Sequence, residues 1–175
     1  QYQTDWARVP GSLAAPTASF HFQNHHLDLF RARGGTVAKI TLHVGLGTFL
    51  PVTSDSLDKH VMHSESVEIS AETWRLVCEA KSRGSRVWCL GTTVTRALEA
   101  AAHGCLHASP PVSAQDLLDK SVRGWYGETD LFIKPGFEFR ITDVLCTNFH
   151  QPKSTLLALT AAFAGLENVK RSYRW

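Results

Sequence analysis

Imidazole, carboxylate and hydroxyl side chains gather at a few points of this sequence, often beside glycine. His60-Val61-Met62-His63-Ser64-Glu65 holds two imidazoles and a carboxylate. The spacing is not that of an H-E-x-x-H metal motif. It suits acid/base work, because imidazole titrates near neutral pH and a carboxylate can tune it. Solvated surface side chains explain the same stretch. Thr41-Leu42-His43-Val44-Gly45-Leu46-Gly47-Thr48-Phe49 ends an apolar run in two glycines. Glycine lets the backbone approach a ligand and supplies positive-φ turns. The pattern is neither a dinucleotide fingerprint nor a P-loop, and a tight structural turn accounts for it equally well.

Gly91-Thr92-Thr93 stands before a helical pattern. Free N–H groups at a helix start form an anion site that would suit a carboxylate. A cap by Thr92 or Thr93 is the simpler role. Arg96 and Glu99 follow, and an i,i+3 ion pair is their plain explanation. Asn148-Phe149-His150-Gln151-Pro152-Lys153-Ser154-Thr155 ends a strand and opens a helix, with Pro152 suited to its first turn. Lys153 opposes the helix dipole there, which fits an anion contact or a solvated lysine. Ala14-Ala15-Pro16-Thr17-Ala18, followed by His21, is a small-residue loop that packs closely on something.

The elements that must position these residues alternate. Helices are expected over 25–33, 71–83, 95–102 and 152–164, from apolar spacing and glycine stops. Strands are expected over 37–44, 86–90, 130–133 and 143–147. Residues 45–63 read as a loop and 103–128 as irregular. Strand–loop–helix repetition argues for an α/β fold with a largely parallel or mixed sheet and flanking helices. Ligands in such folds sit beyond the carboxyl ends of the strands. The polar segments 43–49, 91–96 and 148–154 fall at such ends. One cleft is therefore expected to gather His21, His43, Thr92, Thr93, Arg96, Asn148 and His150, bordered by Gly45 and Gly47.

The 175 residues, 43% hydrophobic and 19% charged, suffice for one domain with a sizeable core, burying roughly 70% of the unfolded chain's surface. That balance excludes the disordered class. A net charge of +2 is too small to argue for nucleic acid on its own. Cys78, Cys89, Cys105 and Cys146 form no C-x-x-C pair. No structural zinc site is expected, and reduced thiols fit a cytoplasmic protein. No secretory leader is expected, and no apolar run reaches the length of a bilayer span. Gln1-Tyr2-Gln3-Thr4 has no initiator Met and runs almost at once into a motif, so a fragment of a longer protein is expected.

Six stretches carry a resemblance. Gly11 to Phe22 resembles G-S-V-A-A-P-T-A-G-L-H-F, and Thr41 to Val52 resembles T-L-H-V-G-x-G-T-F-x-P-V. His60 to Glu65 resembles H-x-M-H-S-E, and Gly91 to Glu99 resembles G-T-T-x-x-R-x-L-E. Thr129 to Phe139 resembles T-D-x-F-I-x-P-G-x-x-F, and Thr147 to Leu157 resembles T-N-F-H-x-P-K-S-T-L-L. In this order, across nearly all the chain, they resemble the queuosine-pathway S-adenosylmethionine:tRNA ribosyltransferase-isomerases. Ser19 departs from a glycine of that pattern, Lys134 and Ser66 from tyrosines, and Gln151 from a leucine. The family's amino-terminal segment, its inserted β-barrel domain and its S-Y-G-D tail are not in the sequence. Residues 1–175 would then be a catalytic α/β domain without those parts.

The resemblance implies that the ribosyl part of S-adenosylmethionine is transferred to a 7-aminomethyl-7-deazaguanine base at the tRNA wobble position. The ribose is rearranged to an epoxycyclopentanediol, and adenine and methionine leave. S-adenosylmethionine is consumed as a substrate, and no metal or redox cofactor is implied. His43 and His63, with Glu65 as orienter or alternative base, and His150 are the acid/base candidates. Thr17, His21, Gly45, Gly47, Thr92, Thr93, Arg96 and Asn148 are the substrate-binding candidates. Lys134, Arg140 and Lys153 are candidate tRNA phosphate contacts, with solvated surface charge as the equal alternative. A monomer without membrane contact is expected. Two rival readings are a methyltransferase, whose glycine-rich first loop is not evident, and a tRNA-binding relative without catalysis, which Ser66 and Lys134 make conceivable.

Overall fold

The computed structural model describes residues 3–12, 14–45, 57, 60, 62–106 and 124–174. The elements are a 3-10 turn over Thr17–His21, α1 (Asn24–Ala32), β1 (Thr41–His43), β2 (Glu65–Ile69), α2 (Ala71–Ser82) and β3 (Trp88–Leu90). Then come α3 (Thr92–His103), β4 (Trp125–Thr129), β5 (Val144–Cys146), α4 (Thr155–Ala164) and α5 (Leu166–Tyr173). The mixed α/β architecture divides its strands between two small sheets. β1, β2 and β4 form an antiparallel sheet with β2 central, and β3 and β5 form a parallel pair.

Side-chain alternation explains the central strand. Glu65, Val67 and Ile69 of β2 point inward and are buried, with Ser66 and Glu68 between them. Val67 and Ile69 join Val77 of α2, Cys89 of β3, Ala97, Leu98 and Ala101 of α3, and Ile141 in one core. The alanines keep α3 thin on that side, so it packs against both sheets. Burying a side chain such as Leu98 contributes about 2 kcal/mol. Trp74 of α2 and Trp125 of β4 close the edge of the core with ring centroids 5.7 Å apart, edge to face.

Helix boundaries follow local chemistry. Ser70 caps α2 by accepting from Thr73 N at 3.1 Å, and Ser154 caps α4 by accepting from Leu157 N at 3.2 Å. Gly104, in the left-handed region at φ 69°, ends α3. The other end of α3 differs from expectation. It opens at Thr92, directly after Gly91 at φ 105°, and neither Thr92 nor Thr93 makes a side-chain cap bond. Pro152 lies before α4 rather than in its first turn.

The strands differ in two places. The expected strand over 130–133 is not formed, and the pairing segment is Trp125–Thr129, all but its last residue inside the stretch expected to be irregular. Thr129 Oγ1 accepts from Leu131 N at 3.1 Å and turns the chain away after β4. Only Thr41–His43 of the expected 37–44 strand is paired. The Lys39 carbonyl instead accepts from the Thr73 hydroxyl of α2 at 3.0 Å.

Candidate active site

β3 and β5 run side by side in parallel, so their carboxyl ends open on one edge. Both exits are polar: Gly91-Thr92-Thr93 after β3, and Thr147-Asn148 after β5. Gly91 N donates to the Cys146 carbonyl at 2.8 Å and ties the exits together. The 3-10 turn lies over this edge, where His21 Nε2 donates to Asn148 Oδ1 at 2.9 Å. An amide oxygen only accepts, so Nε2 is the donating nitrogen of His21 in this contact. Ala18, His21, Phe22, Leu90, Cys146 and Asn148, with Leu145 and Thr147, line an open cavity of about 230 Å³ here. That is room for a small ligand or for one part of a larger one.

The segment holding Ala18 and His21 also reaches β1. Ser12 Oγ accepts from Val44 N at 3.1 Å and donates to the Ala14 carbonyl at 2.9 Å. Gly11 lies against the half-buried His43, and a Cβ on Gly11 would stand 2.8 Å from His43 Nδ1. The segment thus meets the end of β1 through Gly11 and Ser12 and the end of β5 through His21, at Asn148. His43 itself does not line the cavity.

A second cluster lies inside. Arg96 of α3 and Glu65 of β2 form an ion pair, and they are 5% and 2% exposed. Burial lowers the Arg96 pKa to about 10, which leaves the guanidinium cationic at neutral pH. The pair fastens the first turns of α3 to the amino end of β2. Both charges face each other, whereas the sequence placed Glu65 as orienter or base and Arg96 on the ligand. The expected Arg96–Glu99 pair is not formed. Glu99, fully buried, accepts instead from the backbone N–H groups of Arg140, Ile141 and Thr142 at 2.8, 3.0 and 2.8 Å. Three charge-assisted bonds are what a buried carboxylate requires, and they hold the segment leading into β5 against α3.

His150 sits beside the cavity residues. Its Nε2 lies 3.0 Å from Thr147 Oγ1, and burial holds its pKa below the ordinary histidine value. The Tyr173 hydroxyl of α5 accepts from His150 N at 2.6 Å and donates to the His150 carbonyl at 3.1 Å.

The remaining candidates scatter around this frame. Thr92 is buried and Thr93 half-buried at the start of α3; Thr17, Gly45 and His63 are exposed. Gly47 lies outside the described residues. Lys134 is half-buried, and Lys153 is exposed with a positive φ of 56°. Arg140 donates to the Ala102 carbonyl at 3.1 Å, capping the far end of α3, about 15 Å along the helix from Thr92. Sequence reasoning missed Thr147 and Tyr173. The signal for Tyr173 was the helical spacing of Leu166, Val169 and Tyr173. Nothing local marked Glu65 and Arg96 as partners.

Fold and site together define a mixed α/β domain with an open polar cleft at the carboxyl ends of a parallel strand pair. The chain belongs to the queuosine biosynthesis protein family, whose model matches residues 1–175. It is 50% identical over 174 residues to the S-adenosylmethionine:tRNA ribosyltransferase-isomerase of Chlorobaculum parvum, covering 99% of this chain and 48% of that protein. The protein of the same name from Nitrosospira multiformis is 48% identical, again over 99% of this chain and 48% of the relative. The chain thus spans about half the length of the curated relatives it matches. The crystal structure of S-adenosylmethionine tRNA ribosyltransferase from Thermotoga maritima superposes with a TM-score of 0.65 at 35% identity, over 90% of this chain and 44% of that one.

Proposed function

We propose that this chain forms the greater part of the catalytic domain of an S-adenosylmethionine:tRNA ribosyltransferase-isomerase. The reaction transfers and isomerises the ribosyl group of S-adenosylmethionine onto the aminomethyl-deazaguanine base at the tRNA wobble position. Adenine and methionine leave, and S-adenosylmethionine is consumed, with no other cofactor. The observation that carries the reading is the His21–Asn148 contact. It joins the first and last of the six family motifs across a cavity at the strand ends.

The chemistry asks for a base and an acid. The sulfonium acidifies the neighbouring ribose carbon, and adenine departs more easily when a donor protonates it. A histidine held in orientation by Asn148, as His21 is, suits contact with a polarised ribose or adenine. His43, packed against Gly11 at the other end of that segment, and His150, kept neutral by burial, are further acid/base candidates; His63 completes them, while Glu65, buried against Arg96, is left a positioning role. N–H groups at the start of α3 suit the methionine carboxylate. The base would be taken from an exposed anticodon loop, with Lys134, Arg140 and Lys153 offered to phosphates. A tRNA-modifying role sets the reaction in the cytoplasm. Among the described residues no helix is long and apolar enough to cross a membrane. A monomer suffices.

The test is to incubate the protein, at the full length of its relatives, with S-adenosylmethionine and tRNA bearing the aminomethyl-deazaguanine base. Free adenine and methionine should appear together, in step with modified tRNA. S-adenosylhomocysteine would show a methyltransferase instead, and no small product at all would show a binding protein.

A further inference from the structure

Phe149 is 75% exposed, more than any other large hydrophobic side chain among the described residues. A lone exposed apolar side chain is ordinary, but this one is held in place. Its ring meets Tyr173 edge to face with centroids 5.0 Å apart. The Tyr173 hydroxyl clamps both backbone polar groups of the next residue, His150, at 2.6 and 3.1 Å. On its other side Phe149 follows Asn148, which lines the cavity. The ring is therefore fixed at the rim of the candidate site with a face left to solvent.

The helix that braces it ends in cations. Lys170 stands three residues before Tyr173, on the same side of α5, and Arg174 follows at its C-cap; both are exposed. Lys170 shares its charge with Glu167 at 2.9 Å. Lys153, exposed, lies four residues beyond Phe149. An exposed aromatic ring braced by a helix that carries cations matches single-stranded nucleic acid, whose bases stack on aromatic rings while its phosphates meet cations.

We infer that Phe149, braced by Tyr173, is a stacking platform for an unpaired base next to the one that enters the cavity. This rests on the reading of the chain as a tRNA-modifying domain, and it adds the surface that holds the loop. The platform takes a π face of any base, so it contributes affinity rather than sequence choice.

The experiment measures binding of an anticodon stem-loop RNA, by fluorescence anisotropy at several salt concentrations, to the full-length protein and to F149A and F149W. Binding of S-adenosylmethionine is followed by calorimetry in the same samples. F149A should weaken RNA binding by about ten-fold. Its salt slope should not change, since no phosphate contact is lost. F149W should bind like the unaltered protein, and S-adenosylmethionine affinity should be the same in all three. Equal RNA affinity for F149A, or a loss that F149W does not repair, would overturn the platform while leaving the tRNA reading intact. Failure of the unaltered protein to bind the RNA would overturn both.

Discussion

His21 and Asn148 are 127 positions apart in the chain, yet His21 Nε2 lies 2.9 Å from Asn148 Oδ1 at the mouth of the cavity. The contact holds the imidazole in one orientation. It also joins the small-residue segment 11–21 to the end of β5. That segment packs against His43 at its other end, through Gly11. Two histidines that the sequence expected in one cleft thus meet opposite ends of one stretch of backbone, and of the two His21 lines the cavity.

His43 is expected to take part in proton transfer. In the full-length enzyme H43A should lower the turnover of S-adenosylmethionine by about 100-fold while the protein remains folded. Steady-state release of adenine measures this. Turnover close to that of the unaltered enzyme would remove His43 from the reaction.

The Glu65–Arg96 pair is expected to behave as a buried structural unit. E65Q or R96M alone strands one buried partner and should cost about 3–5 kcal/mol in denaturant unfolding. The double change to methionine removes both charges and should recover most of that loss. Two single variants each costing under about 1 kcal/mol would show that the pair is not buried as described.

Burial holds the His150 pKa below the ordinary value of 6.5. Well above that value His150 is neutral whether the chain is folded or not, and it contributes no pH dependence. As pH falls below 6.5 the unfolded chain takes the proton first, so stability declines until the folded pKa is reached. His150 is accordingly a neutral imidazole at pH 7, able to accept a proton. An NMR titration of its ring protons should give a midpoint below 6.5, and a midpoint above it would contradict the assigned surroundings.

Much of this arrangement was legible from residue spacing. α2 shows Trp74 and Val77 at helical intervals with a serine before them and a glycine after. The apolar runs around Cys89 and Cys146 read as strands, and their polar exits mark the cleft edge. The antiparallel sheet was harder. β2 begins with a charged residue, Glu65, whose inward direction is set by Arg96 on another element. β4 has Gly127 at its centre, opposite Val67, so strand propensity is interrupted where pairing is tightest. The apolar Leu131-Phe132-Ile133 mimicked a strand, but Ile133 is buried without pairing. α5 went unread because its polar residues outweigh Leu166, Val169 and Tyr173. Pairings such as Arg96 with Glu65, or Glu99 with three backbone N–H groups, depend on tertiary placement and leave no local trace.

The central claim is that chemistry takes place at the carboxyl ends of β3 and β5, where His21 meets Asn148. Its most direct test is the single-turnover rate of adenine release by N148A in the full-length enzyme, with modified-base precursor tRNA and saturating S-adenosylmethionine. Loss of the acceptor frees the His21 ring, so release should slow by about 100-fold at unchanged thermal stability. Release at the unaltered rate from a folded N148A protein would place the reaction elsewhere.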